Sequence, residues 1–340
     1  MRNSRLIWLL MFLGVVVLAP RANAWDGPGH MQVADIAWLH LAAIPAVKAV
    51  LKAILARARG KFTPHGPDDS SLRDAFDLAG TFPDFLKTAP APDYEPFVAP
   101  MNLMFWPHHE PPQSARGEGV RCKSWHYYDT PINFPNGGTP PPPWTSNAIV
   151  AFAEAARRLK QLHTGSYDGP HFRGMNNDDL KFWWLGWILH LSGDAHQPLH
   201  TVSNFGVSGN EGRADAGGNL FLLAQGKKLH GLWDEMVQTA ARKDGFDISD
   251  VESVGHPSQV LAQVSDVWDK AHVGIGDPND LNFSHWIDEG AKRAQSIAYS
   301  GVTPGSAPSD IYMTRATNFA REAAGLAGRR LALVLTAVLG

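Results

Sequence analysis

The stretch from Asp178 to His200, DDLKFWWLGWILHLSGDAHQPLH, constrains the fold more than any other part of the chain. Phe182, Trp183, Trp184, Trp187, Ile188 and Leu189 leave almost no polar face. A helix that is apolar all round belongs in a core. His190 and Asp194 nevertheless interrupt it on one side, because a spacing of four sets two side chains one turn apart. Such a pair has two readings. It is either a core hydrogen bond that satisfies two buried polar groups, or two ligands that one helix offers to one ion. Pro198 is expected to end the helix, with His200 following on the way out.

Other parts of the chain repeat the pattern. His230 and Asp234 are again four apart, at the start of a helix read from HGLWDEMVQTAAR. His126 and Asp129 lie in the short aromatic segment SWHYYDTP. In WDGPGH, Gly27, Pro28 and Gly29 make a turn that folds His30 back toward Trp25. Helical periodicity then runs through MQVADIAWLHLAA and PAVKAVLKAILARA. SLRDAFDLAGTFPDFLK reads as a short helix broken at Pro83, with Asp84 and Lys87 just past the break. SNAIVAFAEAARRLKQL is amphipathic, with Ser146 or Asn147 as its cap. NLFLL and KKLHGL, around Gly226, read as a small hairpin. Three further helical segments finish the chain. The last apolar run is about half the length of a membrane-spanning helix and reads as core.

The expected architecture is therefore mainly α, a single helical domain with at most a small β-hairpin. The Pro-rich segment GGTPPPPW is the best candidate boundary, but the candidate ligands fall on both sides of it. Residues 25–340 are accordingly read as one domain. Residues 88–121 are Pro-rich and irregular, and the pair His108–His109 within them is read as loop. There is no repeat of fixed period, no phosphate-binding Gly loop opening a helix, and no Ser-centred nucleophile elbow.

Residues 1–24 have the layout of a secretory signal. Arg2 and Arg5 precede the apolar run LIWLLMFLGVVVLA, and Ala22-Asn23-Ala24 is a small-x-small cleavage site. Cleavage there makes Trp25 the N-terminus and the location secreted or periplasmic. The formal charge of −3 does not point to a basic nucleic-acid-binding surface. Loss of Arg2, Arg5 and Arg21, with no acid, leaves 27 basic against 33 acidic side chains, or −6. A chain of that charge needs bound cations to hold a polyanion. Cys122 is the sole cysteine, so an exported chain has no internal disulfide and metal is the obvious staple.

Zinc takes imidazole nitrogen and carboxylate oxygen, and two or more ions together can activate water and hold a phosphoryl group. On spacing alone, His126, His190, Asp194, His200, His230 and Asp234 are candidate ligands, with His30 and Asp84 behind them. Trp25-x4-His30, Asp84, WHYYD, HLSGDAHQPLH, GGN and LHGLWD together resemble the S1/P1 nuclease family, related to the trinuclear zinc phospholipases C. The resemblance spans essentially the whole chain after residue 24. It implies a mainly helical fold with three zinc ions in a cleft. One ion falls to Asp84, His126, His190 and Asp194, and a second to His200, His230 and Asp234. The third falls to the amino group and carbonyl of Trp25, to His30, and to Asp194 as a bridge. His196 lies inside the motif without being a ligand and is read as supporting structure; His65, His163 and His256 are read as solvated.

The same resemblance implies hydrolysis of single-stranded DNA and RNA to 5′-mononucleotides, with 3′-nucleotidase activity as an extension. Asp129 matches the family's catalytic carboxylate; its competing role is to accept hydrogen bonds in a local turn. Lys87 stands where the nucleases commonly carry Arg, and lacks the bidentate fork. Asn219 of GGN is a candidate for phosphate or sugar, and Tyr127 for a base-stacking wall. No stable protein partner is implied. The alternative is a phospholipase C acting on phosphatidylcholine-like lipids. Asp234 discriminates, since the phospholipases resemble His-x-x-x-Glu there and Glu235 is one place out of register. A third reading is a secreted zinc-binding protein without catalysis.

Overall fold

A computed structural model describes residues 25–62, 72–84, 123–135, 138–143, 145–169, 176–207, 212–254, 256–271 and 274–340. Ten α-helices are numbered here among those residues. The first, α1 (Gly27–Leu41), begins with Asp26 as its cap, whose side chain accepts from Gly29 N, and with Pro28 in the first turn. A proline costs nothing there, because that N–H has no helical partner. Next come α2 (Pro45–Phe62), α3 (Leu72–Ala79), α4 (Ala148–Thr164) and α5 (Asn177–Asp194).

The expected core helix is α5. Asn176 accepts from Asp178 N and Asp179 N, and the Asp179 side chain accepts from Asn176 N at 3.1 Å. This capping box sets the start of the helix. From Phe182 to Asp194 every residue is buried. The helix packs against α4 along one side and α2 along another. Asn147, rather than Ser146, caps α4 through Val150 N.

The remaining helices are α6 (Leu229–Asp234), α7 (Met236–Lys243), α8 (Ser258–Trp268), α9 (Phe283–Arg293) and α10 (Asp310–Leu339). A π-helical turn, Ala294–Ala298, follows α9. The long α10 lies against α1. A Cβ at Gly328 would stand 2.6 Å from Ile36 Cβ and 3.0 Å from the Val33 carbonyl, so glycine permits this approach. Arg73 of α3 grips both oxygens of Asp35 in α1, and Ser265 of α8 donates to the same carboxylate. This buried fork fixes α3 on α1 and so sets the approach of residues 82–84 to His30.

Two local expectations are corrected. The expected hairpin around Gly226 is a single antiparallel bridge, Leu222 to Lys228, around a 3-10 turn at Ala224–Gly226. Strand pairing stops there because Leu229 already begins a helix. The described sheet is instead a parallel pair, β1 (Thr130–Ile132) and β2 (Val202–Asn204), with Thr130 opposite Val202. The helix expected to break at Pro83 breaks earlier, at Gly80 and Thr81, and residues 82–84 form a new helical turn that begins just before Pro83. Proline suits a first turn. A side chain at Gly80 would press on the carbonyls of Asp77 and His30.

Across the Pro-rich segment, exposed residues 138–143 separate two parts that touch each other. Ala148 N donates to Tyr127 O, and Trp125 Nε1 to Ser146 Oγ. No helix among the described residues is long and apolar enough to cross a membrane. The N-terminal 24 residues, Lys87, His65, His108, His109 and Cys122 lie outside the described residues.

Candidate metal centre

Three histidines and two carboxylates meet where α1, α5, residues 82–84 and the 3-10 turn Lys123–His126 come together. His190 Nδ1 lies 2.9 Å from the Gly80 carbonyl and must carry the proton, so Nε2 presents its lone pair. That atom is 2.7 Å from His126 Nδ1 and 3.3 Å from Asp194 Oδ2. Asp84 Oδ1 stands 3.7 Å from His190 Nε2 and 3.8 Å from His126 Nδ1. His30 stacks on the His190 ring at 3.8 Å, with its Nε2 3.4 Å from Asp194 Oδ1 and 3.9 Å from Asp84 Oδ2. His30, Asp84, His126, His190 and Asp194 are all buried.

The two oxygens of Asp194 face different histidines. Oδ1 is turned to His30 and, at 3.8 Å, to His200; Oδ2 is turned to His126 and His190. Burial alone would raise the Asp194 carboxyl. The charges that His190 and His200 carry when protonated, with hydrogen bonds from His126 and His190 in that form, outweigh it and hold the group well below the usual carboxylate range. Burial, and next the charge of His190, lower His30 to about 4, so its ring is a neutral acceptor at neutral pH.

A second group follows α5. His200 Nδ1 is 2.7 Å from the His126 carbonyl, and His230 Nδ1 is 2.6 Å from the Gly217 carbonyl. Both rings therefore carry their proton on Nδ1, and their Nε2 atoms are 3.2 Å apart. In their neutral form the two imidazoles aim lone pairs at each other, an arrangement that an intervening cation turns from repulsive to attractive. Asp234 Oδ1 is 3.7 Å from His230 Nε2. Nitrogen and carboxylate donors with their outer nitrogens tied to carbonyls are the donor set zinc takes. Among the described residues, three groups bring their ligand atoms within 4.8 Å of one another: His30, His190 and Asp194; Asp84, His126 and His190; and His200, His230 and Asp234.

Glycines make room for this assembly. A Cβ at Gly193 would fall 2.6 Å from His30 Nδ1 and 3.5 Å from Trp25 Cδ1. Only a residue without a side chain lets α1 bring His30 and Trp25 over the end of α5. Gly193→Ala is expected to displace His30 and weaken metal binding at its group by about 10–100-fold. Metal counting after dialysis at set free zinc checks this; wild-type retention would show that the ring finds another way past the methyl group. Gly217 and Gly218 have φ of +62° and +83°. A Cβ at Gly217 would collide with the Leu199 carbonyl, so the glycine pair holds the carbonyl that orients His230.

Trp25 is buried, and the next residue's N–H donates to the Asp234 carbonyl at 3.0 Å. Residues 25 and 26 thus reach both groups. Asp129 is half-buried and accepts from Ser203 Oγ at 2.8 Å. Its segment is aligned with the second group, since Tyr128 N donates to the His200 carbonyl. Burial, and then Asp129, push the neighbouring Tyr127 hydroxyl up to about 12. Asn219 follows the glycine pair and donates to the Ala216 carbonyl at 2.9 Å, closing its own turn. Glu235 points away from the centre to Lys227, 3.2 Å off.

His196 is buried outside the three groups. Arg330 Nη1 donates to its Nε2 at 3.1 Å, and its own Nδ1 donates to the Ser192 carbonyl. Burial and the Arg330 charge lower it to about 3. Of the histidines read as solvated, His256 is half-exposed and pairs with Asp74. Sequence reasoning missed Gly80, Gly193 and Gln197. Gln197 stood in plain view between two candidate ligands, and its residue type, a buried amide beside acids, was the available signal.

Residues 25–340 match the family model described as S1/P1 Nuclease. No curated protein matches the chain.

Proposed function

The chain belongs to the S1/P1 nuclease family, which makes it a nuclease, and we propose that it is a zinc-dependent phosphodiesterase of single-stranded DNA and RNA. Its products on this reading are 5′-mononucleotides, and terminal 3′-phosphates are further substrates. The observation that carries it is the His200–His230 pair, two proton-committed rings turned lone pair to lone pair beside Asp234.

Asp84, His126, His190 and Asp194 would hold one zinc ion, and His200, His230 and Asp234 a second. The Trp25 amine and carbonyl, His30 and Asp194 would hold a third. When bound, zinc supplies a Lewis acid for the phosphoryl oxygens and lowers the pKa of water to about 7. Asp129 orients the attacking water and accepts its proton. Its bond from Ser203 fixes the carboxylate for that task. Tyr127 supplies an aromatic face for a base, a contact worth about 1–3 kcal/mol and indifferent to base identity. Duplexes hide their base faces, which favours single strands. Asn219 binds phosphate or sugar, and Lys87 offsets charge developing on the phosphoryl group. Export with cleavage after Ala24 completes the site by freeing the Trp25 amine.

Protein beginning at Trp25 is to be incubated with a single-stranded oligonucleotide, and separately with a short-chain phosphatidylcholine, with and without chelator. The expected result, by mass spectrometry, is chelator-sensitive release of 5′-mononucleotides. Release of phosphocholine alone would replace the nuclease reading with the lipase one. The position of Asp234 inside the group and of Glu235 outside it supports the first outcome.

A further inference from the structure

Gln197 is fully buried, and each of its polar groups is engaged with a different part of the centre. Its backbone N–H donates to the Asp194 carbonyl at 3.1 Å, and its carbonyl accepts from His200 N at 3.0 Å. Its side-chain oxygen accepts from Leu199 N at 2.6 Å, which leaves no choice of amide orientation. Nε2 must then be the atom that donates to Asp234 Oδ1, at 2.8 Å. One residue thus links Asp194, His200 and Asp234, which belong to two different ligand groups.

Asp234 is the last residue of a six-residue helix, α6. A carboxylate turns easily about its Cβ–Cγ bond, a broad two-fold torsion. A ligand that turns loses the orientation a metal requires, and outer hydrogen bonds commonly supply that restraint. We infer that Gln197 is a positioning residue of the metal centre, holding the Asp234 carboxylate in the plane that faces His200 and His230. The role rests on the zinc reading of the site. It also couples the two groups: the turn that ends α5 at Asp194 carries, three residues later, the side chain that sets Asp234.

Gln197→Glu separates the two functions of the side chain. It keeps an oxygen for Leu199 N, so the turn survives, and it replaces the donor toward Asp234 with an acceptor. Gln197→Met, of similar length and with no second carboxylate to bury, is to be measured alongside, so the outcome does not hang on one variant folding. Holo-protein is dialysed against buffers of graded free zinc, bound metal is counted by atomic emission, and helix content is followed by circular dichroism. The expected result is wild-type helix content, with one of three zinc ions bound about 10–100-fold more weakly in both variants. A folded variant that keeps all three ions at wild-type affinity would overturn the positioning role alone. Wild-type protein that binds no zinc would overturn the zinc reading and the inference with it.

Discussion

Replacing Asp194 by alanine is expected to abolish hydrolysis of single-stranded nucleic acid and to release more than one zinc ion. The basis is the division of labour between its two oxygens, Oδ1 toward His30 and Oδ2 toward His126 and His190. No other carboxylate among the described residues faces three histidines at 3.4 Å or less. Its removal leaves those rings with Asp84 at 3.7–3.9 Å as the nearest acid. The loss in kcat/KM is expected to be on the order of 10³-fold or more, about 4 kcal/mol of transition-state stabilisation. Asp194→Asn, which keeps the shape and removes the charge, is expected to follow it. Kinetics, metal counting and circular dichroism on the same preparations decide the matter. A folded variant with three zinc ions and activity within tenfold of wild type would remove Asp194 from its bridging role.

One additional residue in front of Trp25 is expected to cost a single zinc ion and about 10²-fold in activity, or ~2.7 kcal/mol. An amine offers a metal its lone pair, whereas an amide delocalises it into the carbonyl. The position admits little adjustment. Trp25 is buried against Gly193, and the Asp26 N–H is held by the Asp234 carbonyl. Enzymatic removal of the extra residue is expected to restore both metal and activity, which separates this effect from misfolding. Full activity with normal zinc content in the extended protein would refute the role of the amine.

Local geometry explains what the sequence revealed. His190 with Asp194, and His230 with Asp234, are each four apart on a helix, and the face they share follows from helix pitch alone. The apolar run at Phe182–Leu189 identified the core helix for the same reason. What stayed hidden depends on partners far along the chain. β1 and β2 are three residues each, and a parallel pairing leaves no hairpin signal between them. The break falls at Gly80, where a side chain would meet the carbonyl of His30 on another helix, whereas Pro83 is the usual local breaker. Gln197 donates to a residue 37 positions away. The GGN motif pointed to Asn219 as a substrate contact, while the structure makes its two glycines the support of His230.

The packing of α1 against α10 has a consequence for the order of events as the chain emerges. The helix that carries His30 is made early, and the helix that covers it is made last. Contacts of such wide separation form slowly, because a long loop must close before they are rewarded. Until then α1, buried along almost its whole length in the finished protein, has α3, α5 and α8 beside it but lacks the cover of α10. A chain made from its N-terminus therefore cannot seal α1 until its last helix is in place. The tight passage between α1 and α10 at Gly328 closes only when synthesis is nearly over.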